Sequence, residues 1–251
     1  MDMTTIGVYD SGIGGLTTAK ILLNRFAGND LFYFADNLNH PFGNKDEDSL
    51  KETVRKGIAH VKAHSDIVVL ACNTASSVTE EKDVIKLLPP IGDFCEDAEN
   101  TLIMATNRTL CKISDIKSDD ASQNKSAFLR DFKKADTSEL ATLVEIQASL
   151  QSRKGNLDMT ELLPYFAERI FSFKGVKNVI LGCSHYLYCK PQISKILGAV
   201  NYFDGNEYLC RELETQISAH PQSPAKITFG FTSQNEEKKY DRILKILMNT
   251  D

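Results

Sequence analysis

The chain has 251 residues and a net charge of −5, with no lysine- or arginine-rich block interleaved with aromatics, which excludes a nucleic-acid partner. Its 42% hydrophobic and 25% charged residues are the proportions of an ordinary globular protein, long enough for one large or two small domains. No apolar stretch approaches the ~20 residues of a membrane span and the opening MDMTTIGVYD lacks the regions of a signal peptide, so a cytoplasmic protein with no membrane partner is expected.

The first strand is expected at Ile6 to Tyr9, running into Asp10-Ser11-Gly12 and a glycine-rich helix entry. Gly12, Gly14 and Gly15 do not make a dinucleotide fingerprint, because Thr17 stands where its third glycine belongs, and the Gly-Lys-Ser/Thr of a phosphate loop is absent. A close turn with free N–H groups at a helix start suits a small carboxylate. The same residues equally suit a turn that needs glycine only for its backbone angles, with Asp10 accepting N–H bonds inside it.

A second strand follows at Leu31 to Phe34, then a helix with Leu50, Val54, Ile58 and Val61 on one face. The strand Ile67 to Ala71 leads into Cys72 and into Asn73, a residue type that caps helices. Leu102 to Ala105 is the next strand, and the polar Ser114 to Ser126 stretch reads as a surface connection. Leu162, Phe166 and Ile170 lie at helical spacing, and the strand Val179 to Gly182 leads into Cys183. Strands at Val200 to Phe203 and Ile227 to Phe231 flank a second loop at His220 to Lys226. Ser233 and Glu236 have the spacing of a capping box ahead of a helix bearing Ile243, Leu244 and Leu247. Strands alternating with helices imply an α/β fold with mainly parallel sheets covered by helices.

The six cysteines form no Cys-x-x-Cys pair, which removes support for zinc or a thioredoxin-like centre, and a reducing cytosol disfavours disulfides. Free cysteine is often only a packing residue, and Cys95, Cys111, Cys189 and Cys210 are read that way. Two others stand apart, because VVLACNTASS and VILGCSHYLY share one build of apolar strand, small residue, cysteine and polar residues. The repeat implies two similar halves. Ligands of α/β sheets bind at the carboxyl ends of strands, so the halves would bring both thiols to one cleft, with His185 two residues beyond Cys183.

Asp10-Ser11-Gly12-x-Gly14-Gly15, Cys72-Asn73-Thr74-Ala75-Ser76 and Gly182-Cys183-Ser184-His185-Tyr186 together resemble the glutamate racemase family in order and spacing. Pro41-Phe42-Gly43, the threonines Thr106 and Thr109, and Glu145 as an auxiliary acid extend the resemblance over most of the chain. The resemblance implies cofactor-independent interconversion of L- and D-glutamate, supplying D-glutamate for peptidoglycan, with no metal, pyridoxal phosphate or nicotinamide. Inverting an amino acid at Cα requires removing the α-proton from one face and returning one to the other, so two bases are needed. The family assigns these roles to Cys72 on the D-enantiomer and Cys183 on the L-enantiomer, assisted by Asp10 and His185 respectively. It also implies that Ser11, Asn73, Thr74, Thr109 and Ser184 hold the substrate's amino and carboxylate groups, and that Pro41, Phe42 and Gly43 contact its side chain. Relatives commonly pair as homodimers.

The family layout places the first domain at residues 1–91 plus 205–251 and the second at 92–204, with the active site in the cleft between them. Departures are Ser184 for the family's threonine, Leu187 for its proline, Phe42 for its tyrosine, and Gly92-Asp93-Phe94-Cys95-Glu96 for a Glu-Pro pattern. Both thiols are retained, so the reaction type is better specified than the substrate. Three other readings stay open: a racemase of aspartate or another small acid, a Cys-His hydrolase needing one thiol, and a non-catalytic amino-acid-binding or regulatory protein on the same scaffold.

Overall fold

A computed structural model describes residues 4–114, 131–219 and 225–250. The connections expected at 114–126 and 220–226 fall largely outside these residues, as does the side chain of Cys95.

Among the described residues nine strands form two parallel sheets. The first takes β1 (Thr5–Asp10), β2 (Asp30–Ala35), β3 (Ile67–Leu70), β4 (Ile85–Lys86) and β9 (Ile227–Phe231) in the order β4-β3-β1-β2-β9. The second takes β5 (Thr101–Ala105), β6 (Lys133–Asp136), β7 (Asn178–Gly182) and β8 (Asn201–Phe203) in the order β6-β5-β7-β8. Without β9, both sheets have the same winding: the second strand of each pairs outside the first, and the third and fourth lie on its other side. The strand order therefore reverses between β1 and β3 in one sheet and between β5 and β7 in the other. Crevices at such reversals, beyond the carboxyl ends of the strands, are where α/β sheets bind ligands.

Seven of the nine strands lie where the apolar runs place them. The other two sit at sheet edges and carry little signal: β4 is two residues long, and Lys133-Lys134-Ala135-Asp136 of β6 is mostly charged, as edge strands commonly are.

The helices are α1 (Leu16–Arg25), α2 (Glu47–Lys62), α3 (Asn73–Val78), α4 (Asn107–Ser114), α5 (Ser138–Ser152), α6 (Leu163–Ile170), α7 (Lys190–Leu197), α8 (Asn206–Glu214) and α9 (Glu237–Met248). Leu50, Val54, Ile58 and Val61 are buried on one face of α2. Asp46 caps that helix by accepting from Ser49 N–H at 2.9 Å, and Glu47 and Asp48 place negative charge on its positive end. The capping box expected at Ser233 and Glu236 does not form. Helix α9 begins at Glu237 with no side-chain cap, and the Ser233 hydroxyl instead accepts from Asn37 Nδ2 at 2.5 Å.

One cluster of buried apolar side chains runs from Ile6 and Val8 of β1 to Leu102 and Met104 of β5 and Val179 and Leu181 of β7, so the two sheets share a core. The contact is fastened by polar bonds as well. Tyr188 donates to the Ile13 carbonyl at 2.8 Å, and Ser184 donates to Asp10 Oδ2 at 3.1 Å. Helix α9 packs on both α1 and α5, which brings the end of the chain against both halves. Among the described residues no helix is long and apolar enough to cross a membrane.

Candidate active site

Each strand at the two sheet reversals ends in a polar residue. Asp10 closes β1 and Cys72 follows β3; Thr106 follows β5 and Cys183 follows β7. A buried cavity between the sheets is walled by Ser11, Pro41, Phe42, Gly43, Cys72, Thr74, Thr106, Cys183 and His185, all singled out from the sequence, together with His40, Ser138 and Ala141. Asp10, Asn73, Thr109 and Ser184 stand directly behind these walls and are themselves buried. Cys189 and Cys210 belong to the apolar core, while Cys111 is exposed; these thiols and the two in the cavity are all free.

Each cavity thiol has a polar companion. Cys72 Sγ lies 3.8 Å from Ser11 Oγ, and Cys183 Sγ lies 3.8 Å from His185 Nδ1. The far nitrogen of that imidazole, Nε2, lies 3.1 Å from Glu145 Oε2. Burial opposes charge on His185, but its bonds to Cys183 and Glu145 outweigh burial and raise its pKa well above the ordinary histidine value. The same partnership overcomes burial at Glu145 and holds its carboxyl below the usual range, so His185 and Glu145 form a buried ion pair. Lys239 Nζ of α9 approaches the other oxygen of Glu145 at 3.7 Å.

Behind Cys72 the electrostatics differ. Burial pushes the Asp10 carboxyl up to about 6, although His185, the Gly12 N–H at 2.7 Å and the Ser184 hydroxyl at 3.1 Å all favour its charged form. Burial, reinforced by Asp10, pushes the Cys72 thiol up to about 12. Cys72 therefore rests as a thiol.

The glycine turn after β1 has a different use from the one its residues suggest. Two of its N–H groups are already engaged, because Gly12 donates to Asp10 and Ile13 donates to Glu145 Oε2 at 2.9 Å. The carboxylates it holds belong to the protein itself. Glycine is needed here for close approach: a Cβ on Gly14 would lie 2.2 Å from Ser184 Oγ and 2.8 Å from His185 Nδ1. Any larger residue would push this turn away from the loop that carries Cys183.

Thr74, Thr106 and Thr109 form a closed triangle of hydroxyls, with separations of 2.9, 3.1 and 3.3 Å. Asn73 does not cap α3; its amide donates to the Leu87 carbonyl at 3.2 Å and leaves a buried Oδ1 without a partner. Ser184 keeps the hydroxyl of the residue it replaces and spends it on Asp10, across the junction of the two sheets. The Phe42 ring packs edge-on to Tyr9 in the core, with centroids 6.3 Å apart.

His40 is the wall residue with the least warning in the sequence. It sits directly before Pro41, with Nδ1 3.5 Å from Ser11 Oγ and its ring 5.3 Å from that of His185. Burial and the nearby His185 cation lower its pKa to about 4, so it is neutral near pH 7.

No family model matches the chain. Among curated proteins it is 31% identical over 215 residues to the glutamate racemase of Clostridium novyi (strain NT), covering 79% of this chain and 78% of that protein. It is 26% identical over 266 residues to the glutamate racemase of Halothermothrix orenii, covering 96% and 98%. Among solved structures, glutamate racemase from Thermus thermophilus in complex with beta-chloro-D-alanine superposes with a TM-score of 0.73 at 22% identity, over 97% of this chain and 93% of that one. The Francisella tularensis enzyme in complex with D-glutamate gives 0.69 at 22% identity, over 100% and 96%. These structural matches share the fold.

Proposed function

Because the chain belongs to the glutamate racemase family, we propose that it is an isomerase that interconverts L- and D-glutamate by proton transfer between two thiols. The observation that carries this reading is that Cys72 and Cys183 wall one buried cavity, each delivered by its own sheet and each with a polar companion 3.8 Å away. One thiolate takes the α-proton and the opposite thiol returns a proton to the other face of Cα. With Cys72 resting as thiol, the enzyme is poised for L-glutamate: Cys183 takes the proton beside the His185 cation, and Cys72 protonates the carbanion to give D-glutamate.

In the reverse direction Cys72 must lose its proton, and Asp10 is the group that assists. A carboxylate that is already costly to bury gains by sharing a proton. The Thr74, Thr106 and Thr109 hydroxyls and the unpaired Asn73 Oδ1 are the donors and acceptor for the substrate's α-carboxylate and ammonium groups, with Ser11 beside Cys72. Pro41, Phe42 and Gly43 shape the space for the side chain. Exclusion of water strengthens each of these contacts.

The same reading divides the chain into domains of residues 1–91 with 205–251 and of residues 92–204, and makes the protein a cytoplasmic homodimer that supplies D-glutamate for peptidoglycan. Light scattering of the purified chain tests the dimer. Proton NMR in deuterated water, with both enantiomers of glutamate and of aspartate, tests the reaction and the substrate together. The expected outcome is loss of the glutamate α-proton signal with formation of the opposite enantiomer. Exchange of aspartate alone would assign another substrate, and a folded protein exchanging none of the four would overturn the reading.

A further inference from the structure

His40, Glu145 and His185 each offer one ligand atom, and the three atoms lie within 4.8 Å of one another, with His40 and His185 on the cavity wall. We propose that this trio is a site for a divalent transition metal, Zn²⁺ in particular, whose binding switches the enzyme off. Two imidazoles and one carboxylate form an established donor set for zinc, which holds such atoms at about 2.0–2.2 Å and so spaces neighbouring ligands about 3.4 Å apart. The His185 Nε2 to Glu145 Oε2 separation of 3.1 Å already fits that spacing. Only His40 has to close in.

A second observation comes from His40 itself. Its Nε2 is buried and has no hydrogen-bond partner, and its Nδ1 makes only a long contact of 3.5 Å with Ser11. An imidazole so weakly held loses little by turning toward a metal. Glu145 is held in place by the Ile13 N–H at 2.9 Å, and Lys239 at 3.7 Å faces the oxygen that the metal does not need. Two imidazole ligands favour a transition metal over Mg²⁺ or Ca²⁺, which prefer all-oxygen sites.

The chemistry of binding balances simply. The metal replaces the proton shared by His185 and Glu145, and that proton leaves to solvent. A His185 ligated through Nε2 keeps Nδ1 beside Cys183 but can no longer pass a proton on to Glu145, so the proton relay behind Cys183 is broken. This inhibition rests on the racemase reading, whereas binding is measured without turnover, so the two fail separately.

The test is equilibrium dialysis of the chelator-treated full chain against Zn²⁺, with bound metal measured by elemental analysis. It is run on wild type, His40→Ala, His40→Asn and Cys72→Ala, with Co²⁺ absorption spectra of wild type as a report of ligand type. The site predicts one metal per chain, binding weaker by at least about 10-fold in both folded His40 variants and unchanged in Cys72→Ala. It also predicts Co²⁺ bands without thiolate charge transfer, and racemisation that falls with added Zn²⁺ and returns with chelator. Equal affinity in the His40 variants, or strong thiolate charge transfer with wild-type Co²⁺, would overturn it, and the second readout does not depend on any variant folding.

Discussion

Asp10 is held in the folded protein at a cost. Its folded pKa of about 6 lies above the ordinary 3.8, so the folded state holds a proton that the unfolded chain has lost across that interval. Its contribution to stability is therefore full below about pH 3.8 and is lost as pH rises through about 6, leaving a penalty of roughly 3 kcal/mol at neutral pH. Asp10→Asn, which stays neutral and keeps an acceptor for Gly12 N–H, is expected to resist urea better than wild type at neutral pH. The advantage should vanish near pH 4. The same variant should slow turnover of D-glutamate by about 10²- to 10⁴-fold, the usual worth of a positioned acid or base. In wild type, kcat/KM for D-glutamate should climb as pH passes about 6, and that limb should be missing in Asp10→Asn. A variant less stable than wild type at neutral pH would contradict this account of the carboxyl.

Among the elements, the turn between β1 and α1 packs tightly against the loop that carries Cys183. Gly14→Ala places a methyl against both Ser184 and His185 and should lower kcat by about 10²-fold, the scale of a 1 Å misplacement, while far-UV circular dichroism stays unchanged. Asp46→Ala removes the cap of α2 and should cost about 1 kcal/mol in denaturant. The elements that sequence periodicity located are those whose partners are near or apolar: the runs that become β1, β3, β5 and β7, and the α2 stripe. Those it misplaced answer to distant contacts. Ser233 does not cap α9 because Asn37 engages its hydroxyl, and the glycine turn is not vacant because Glu145 reaches it from α5. Neither partner is visible in a local pattern.

At the scale of the whole molecule, the repeated strand-cysteine build was the legible signal, and the two sheets repeat one strand order because each half must end a central strand at the cavity. His40 was not legible: a single histidine before Pro41 has no spacing to mark it, and only the folded chain sets it beside Glu145 and His185. The apolar cluster continuous from β1 to β5 and β7 predicts that the halves unfold together. Calorimetry should give one transition with equal calorimetric and van't Hoff enthalpies; two resolved transitions would contradict a shared core.

The most direct test of the two-thiol mechanism is the rate of enantiomer interconversion in Cys72→Ala and Cys183→Ala, each assayed from pure L- and pure D-glutamate by circular dichroism. The predicted result is loss of interconversion from both starting enantiomers in both variants, with the fold intact. Racemisation surviving in either variant would show that one thiol suffices and would contradict the mechanism.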